Sequence, residues 1–120
     1  MTDLTPAVDP EGFDRLLAMT GNDPVFLAEL VGTYLEDADS QLEAMRAAAE
    51  RGSADDMIRP AHSLKGNSLN VGAEQLAELC RQLEADGRSG TVDRARERVS
   101  AAAAEFRRVK SELTRLGGAG

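Results

Sequence analysis

The 120-residue chain holds one histidine, His62, in the run Ala61-His62-Ser63-Leu64-Lys65-Gly66. If that run is helical, the lysine at i+3 and the glycine at i+4 stand beside the imidazole on one face. A neutral imidazole nitrogen is a good nucleophile near pH 7, because its unperturbed pKa is about 6.5. A phosphoryl group carried on it adds up to about two negative charges, which Lys65 can offset. Gly66 is the odd member, since glycine in a helix interior costs about 0.8–1 kcal/mol relative to alanine. Either the helix ends there or something needs the space, and no stop signal is seen before Gly72. Without a side chain, Gly66 would let another protein's active site reach the imidazole nitrogen.

A helix advances about 100° per residue, so with His62 at zero the residues Met57, Ala61, Leu64, Ser68 and Val71 fall between roughly 180° and 260°. That is the core side, and His62 points away from it. Ile58 and Leu69 share the outward sector and could give a docking partner apolar contact, although Ile58 could equally belong to a broad buried stripe. Cys80 is the only cysteine. It reads as a small core residue, and one thiol with one imidazole makes no convincing metal set, so no metal site is expected.

The elements that must hold this face are helices. Asp9-Pro10 ahead of Phe13, Leu16 and Leu17 is an N-cap and N1 proline, which predicts a short helix over about 10–20. Asp23-Pro24 repeats the signal before Leu27, Leu30, Val31, Tyr34, Ala38, Leu42, Met45 and Ala49, one apolar stripe in a helix of about 40 Å ending at Gly52. Ser53 with Asp56 resembles a capping box for a third helix running to Gly72. Pro60 lies inside it and predicts a kink or loosened turn just before His62. A fourth helix is predicted over about 73–86 with Leu76, Leu79, Cys80 and Leu83 inward, then a Gly87-Arg88-Ser89-Gly90 loop. Thr91 can cap a last helix carrying Val92, Ala95, Val99, Ala102, Ala103, Phe106, Val109, Leu113 and Leu116.

No sustained alternation or β-branched cluster signals a strand. The expected fold is all-α, an antiparallel up-down four-helix bundle over about 23–116, with the short N-terminal helix covering one end and a frayed, flexible tail at 117–120. At this length a single domain spanning 1–120 is expected. With 42% hydrophobic residues but only three Phe, one Tyr and no Trp, aliphatic side chains and alanine must fill the core. A net charge of −7 argues against a nucleic-acid partner, which needs a basic face. No apolar run is long enough to span a membrane and the first residues lack the pattern of a signal peptide, so a cytoplasmic location is the default.

From His62-Ser63-Leu64-Lys65-Gly66-Asn67-Ser68-Leu69-Asn70-Val71-Gly72-Ala73, continued by Leu76, Leu79, Cys80 and Leu83-Glu84, the sequence resembles the histidine phosphotransfer (HPt) domain of multistep phosphorelays. The short H-x-x-K-G core alone would occur by chance; the continuation gives the match its specificity. The resemblance implies that His62 accepts a phosphoryl group from a receiver-domain aspartate and passes it to another receiver. It further implies that Lys65 assists the phosphate, that Gly66 keeps the approach open, and that Glu84 orients the imidazole. The implied partners are response-regulator receiver domains and a hybrid sensor histidine kinase, with this chain a monomer and a phosphocarrier rather than an enzyme. It would bind no cofactor itself, the Mg²⁺ being on the partner receiver; no Walker-type or Gly-rich nucleotide loop is present. The continuation "NSLNVGA" is unlike that of chemotaxis-kinase phosphotransfer domains, which favours transfer between receivers. A histidine-kinase hairpin is disfavoured because no proline follows His62 at the family's spacing. The alternative is an HPt-like docking bundle that binds a receiver without phosphotransfer.

Overall fold

The computed structural model describes residues 5–117, and among these it contains five α-helices and no strand. They are α1 (Pro10–Met19), α2 (Pro24–Arg51), α3 (Ala54–Asn70), α4 (Glu74–Ser89) and α5 (Ala95–Arg115). The first three begin where local chemistry dictates. The Asp9 carboxylate accepts from Gly12 N at 2.9 Å, Asp23 accepts from Val25 N at 2.9 Å, and Ser53 Oγ accepts from Asp56 N at 3.2 Å. Each bond satisfies one of the backbone donors left open at a helix N-terminus.

Helix α2 packs on α3, α3 on α4, α4 on α5, and α5 returns to α2, while α1 touches α3. The 28 residues of α2 span about 42 Å, close to the longest dimension of the described protein, 43 Å. The core between these helices is aliphatic, with Met45, Met57, Leu64, Leu76, Leu83 and Leu113 fully buried. One polar pair lies inside it: Tyr34 Oη and Ser68 Oγ are 2.9 Å apart, so neither buried hydroxyl lacks a partner. Helix α1 is fastened at the α3–α4 turn. Asp9 N donates to Gly72 O at 2.7 Å, and a Cβ on Gly12 would lie 2.7 Å from the Gly72 Cα, so the two backbones meet only because both residues lack side chains.

Three sequence expectations change. Helix α3 runs unbroken through Pro60, which sits half-buried beside Ala44 and Ala47 of α2, away from the outward face. The helix is not interrupted before His62; proline carries no N–H, so the carbonyl of Asp56, four residues back, loses its usual helical donor. Helix α4 continues past Asp86 to Ser89, so Gly87 and Arg88 are helical rather than loop. It ends instead at Gly90, whose φ of 79° is the left-handed conformation that glycine adopts without strain. Thr91 does not cap α5: its Oγ1 accepts from Asp93 N at 3.2 Å in a turn, and α5 begins at Ala95 with no side-chain cap. Of the tail expected at 117–120, Gly117 is in a turn and 118–120 lie outside the described residues.

Candidate functional site

Helix α3 presents His62 outward, its side chain 63% exposed, while Ala61 and Leu64 on either side of it are fully buried. Across the α3–α4 seam stands Glu84, also nearly buried. Its Oε2 lies 3.0 Å from His62 Nδ1, and its Oε1 accepts from Lys65 Nζ at 2.8 Å. Arg88, one turn further along α4, donates to the same Oε2 from Nε at 3.2 Å and from Nη2 at 2.8 Å. One carboxylate therefore gathers an imidazole, an ammonium and a guanidinium.

Glu84 is ionised throughout the working range. Its pKa falls from 4.5 to about 2, first because Lys65 donates to it, then because Arg88 and His62 do, and against the opposing effect of burial. An ionised carboxylate can only accept, so the proton between it and His62 must be on Nδ1. In the neutral ring Nε2 then carries the free lone pair. The tautomer is set by the partner of the other nitrogen, the usual means by which imidazole chemistry is directed.

Gly66 stands beside this group, exposed, and a Cβ built on it would meet nothing within 4 Å. No packing demand explains the glycine. Leu69, 51% exposed, continues the outward face. Ile58 does so only in part: it is half-buried, and its Cγ1 would lie 2.8 Å from a Cβ on Gly87 of α4. Its first task is to fill the α3–α4 seam, which reduces the apolar contact it can offer a partner. Cys80 is buried, its thiol pushed up to about 12 by burial, so it is not a nucleophile. Among the described residues no group of three or more His, Cys, Asp or Glu side chains gathers as a metal site.

Two features escaped the sequence reading. Arg88 was hidden by the expected loop at 87–90, although its i+4 spacing from Glu84 would have paired them had α4 been carried to Gly90. The exposed apolar side chains Met19, Val25 and Phe26, at the end of α1 and the start of α2, lie outside the one-helix wheel used to find Leu69.

The Hpt domain family model matches residues 29–119, a span that includes every residue of the His62 cluster. The chain belongs to the Hpt domain family. The crystal structure of histidine-containing phosphotransfer protein B from Pseudomonas aeruginosa is similar to this Hpt domain at a TM-score of 0.84 and 30% identity, covering 94% of this chain and 96% of that one. No curated protein matches the sequence significantly. Family membership gives this Hpt chain a histidine phosphotransfer role in a phosphorelay, with response-regulator receiver domains as its class of partner. Among the described residues no helix is long and apolar enough to cross a membrane.

Proposed function

We propose that His62 is the phosphorylated residue and that its Nε2 shuttles a phosphoryl group between receiver-domain aspartates. The observation that carries this reading is the 3.0 Å contact of His62 Nδ1 with the ionised Glu84, which leaves Nε2 as the exposed lone pair. In the accepting step Nε2 forms a bond to phosphorus as the aspartyl oxygen–phosphorus bond breaks, and the receiver's carboxylate leaves with the bonding pair. Positive charge develops on the ring, and Glu84 stabilises it through the Nδ1 proton. Lys65 turns from Glu84 towards the phosphoryl oxygens and offsets their charge. Gly66 admits the rim of the partner's acidic pocket, and Leu69, with the exposed part of Ile58, supplies apolar contact. Returning the group to a second receiver is the same step reversed.

The remaining chemistry belongs to the partner. Positioning and charge stabilisation dominate phosphoryl transfer, and the receiver brings the Mg²⁺ and the acidic nucleophile. This chain then acts as a phosphocarrier with no ATP site and no cofactor of its own, downstream of a hybrid sensor histidine kinase, as a monomer in the cytoplasm. The ring of contacts through α2, α3, α4 and α5 supports a single domain over 1–120 built as an antiparallel up-down four-helix bundle with α1 covering one end. The interface should be modest in area because each partner must leave after transfer.

His62→Gln is the test. The variant should fold like the wild type, since the side chain is mostly exposed, and should take no acid-labile, base-stable label from a phosphorylated receiver. A labelled variant removes His62 from the role. A wild-type chain that binds receivers without becoming labelled establishes the docking-bundle alternative instead.

A further inference from the structure

A carboxylate on Nδ1 solves one problem and creates another. It fixes the tautomer, but a negative charge beside an imidazole also favours the imidazolium, whose Nε2 bears a proton and cannot attack. The environment of Glu84 contains the remedy. Lys65 and Arg88 both donate to it, so the three side chains together carry one net positive charge. Arg88 is bound to the same oxygen that faces His62.

We infer that Arg88 is a positioning residue which, with Lys65, offsets the field of Glu84 at His62, so that the carboxylate orients the ring without drawing a second proton onto Nε2. The contact set of this cluster is closed: among the described residues no other charged side chain bonds to any of the four. Arg59 and Asp55 lie on the outward side of α3, one and two turns before His62, and remain in every variant below. Cys80, one turn before Glu84 on α4, is a neutral thiol. From α2, the Tyr34 hydroxyl is committed to Ser68 inside the core, and the Arg51 guanidinium donates to Asp56 near the start of α3 at 2.8 Å. Arg88 itself is 61% exposed, so its influence is that of a surface charge. A cation about 6 Å from an imidazole in water-like surroundings moves its titration by about half a pH unit.

The experiment uses the fact that the chain has only one histidine, so a single imidazole is seen by NMR. Titrating the unphosphorylated wild type, Arg88→Gln and Arg88→Lys at low salt should show the Gln variant's midpoint raised by about half a unit and the Lys variant's unchanged. The upward shift should shrink as salt is added. The acidic limb of the pH–rate profile for label uptake from a phosphorylated receiver should rise by the same amount in Arg88→Gln and recover in Arg88→Lys. A merely structural role for Arg88 moves neither. An unchanged or lowered midpoint in Arg88→Gln overturns the inference, as does an Arg88→Lys midpoint displaced as far as that of the Gln variant. The functional consequence rests on the phosphotransfer reading, but the titration does not. If the midpoint moves while the wild type takes no label, the electrostatic role stands and the phosphotransfer reading falls.

Discussion

Gly66→Ala asks why the site contains a glycine, and the answer has a sign. The residue lies inside α3, which continues to Asn70, and a Cβ there meets nothing within 4 Å. With no clash to relieve and no cavity to fill, the substitution should gain the whole helix-propensity difference between the two residues, about 0.8–1 kcal/mol. For a domain of this size that is a rise of about 4 °C in Tm. Thermal and urea unfolding followed by circular dichroism measure it, with Gly32→Ala as the standard. Gly32 lies inside α2, and a Cβ there also meets nothing within 4 Å. Gly66→Leu should keep most of the gain but obstruct the approach to His62, and a misplacement of about 1 Å at the reacting atoms costs on the order of 100-fold in rate. Stability and transfer should therefore move in opposite directions, as expected where a fold holds a costly residue for function. If Gly66→Ala destabilises while Gly32→Ala stabilises, the glycine serves the fold. If Gly66→Leu accepts phosphate at the wild-type rate, the access argument is wrong.

Gly87→Ala should do the reverse of Gly66→Ala, because its Cβ would lie 2.8 Å from Ala54 O and from Ile58 Cγ1; overpacking of this kind costs about 1–3 kcal/mol, read from the urea midpoint. Ser68→Ala leaves the Tyr34 hydroxyl buried without its partner and should cost about 1–3 kcal/mol in the same assay. Glu84→Gln tests the pH dependence of the fold. The folded-state pKa of Glu84 is lowered, so its contribution is present above about 4.5 and is lost as the pH falls through about 2. Below pH 4.5 the stability difference between wild type and Glu84→Gln should narrow as the pH falls through about 2; a gap that widens over that range contradicts the assigned ion pairs.

What the sequence made legible follows the range of the interactions involved. The starts of α1, α2 and α3 could be read because each cap is made within three residues of the chain by Asp9, Asp23 or Ser53. His62, Lys65 and Gly66 share one helix, so a wheel suffices to bring them together. The end of α4 could not be read that way. Gly87 and Gly90 are both plausible stops, and the choice between them depends on α3: with Ala54 and Ile58 packed against it, Gly87 is wanted for its lack of a side chain, and Gly90 takes the left-handed turn. With Gly87 read as loop, Arg88 falls outside the helix that carries Glu84, and the i+4 pairing of the two is not visible. Glu84 lies 22 positions from His62 and was reached through the family pattern, since no local rule brings two helices into register.

That register explains why two helical glycines near the site have opposite uses. The contacts Gly87 with Ile58 and Glu84 with His62 run in opposite order along α4 and α3, so the close approach at Gly87 sets how near Glu84 comes to the imidazole. Hydrogen bonding weakens steeply beyond the 3.0 Å seen here, and a seam widened by even one methyl group would loosen the bond that holds the proton on Nδ1. The bare backbone at Gly87 closes the seam so that one nitrogen is held, and on the proposed function the bare backbone at Gly66 leaves the surface open so that the other can be reached. A methyl group at 87 should thus shift the tautomer balance of His62 as well as the unfolding midpoint, whereas a methyl group at 66 should leave the tautomer alone.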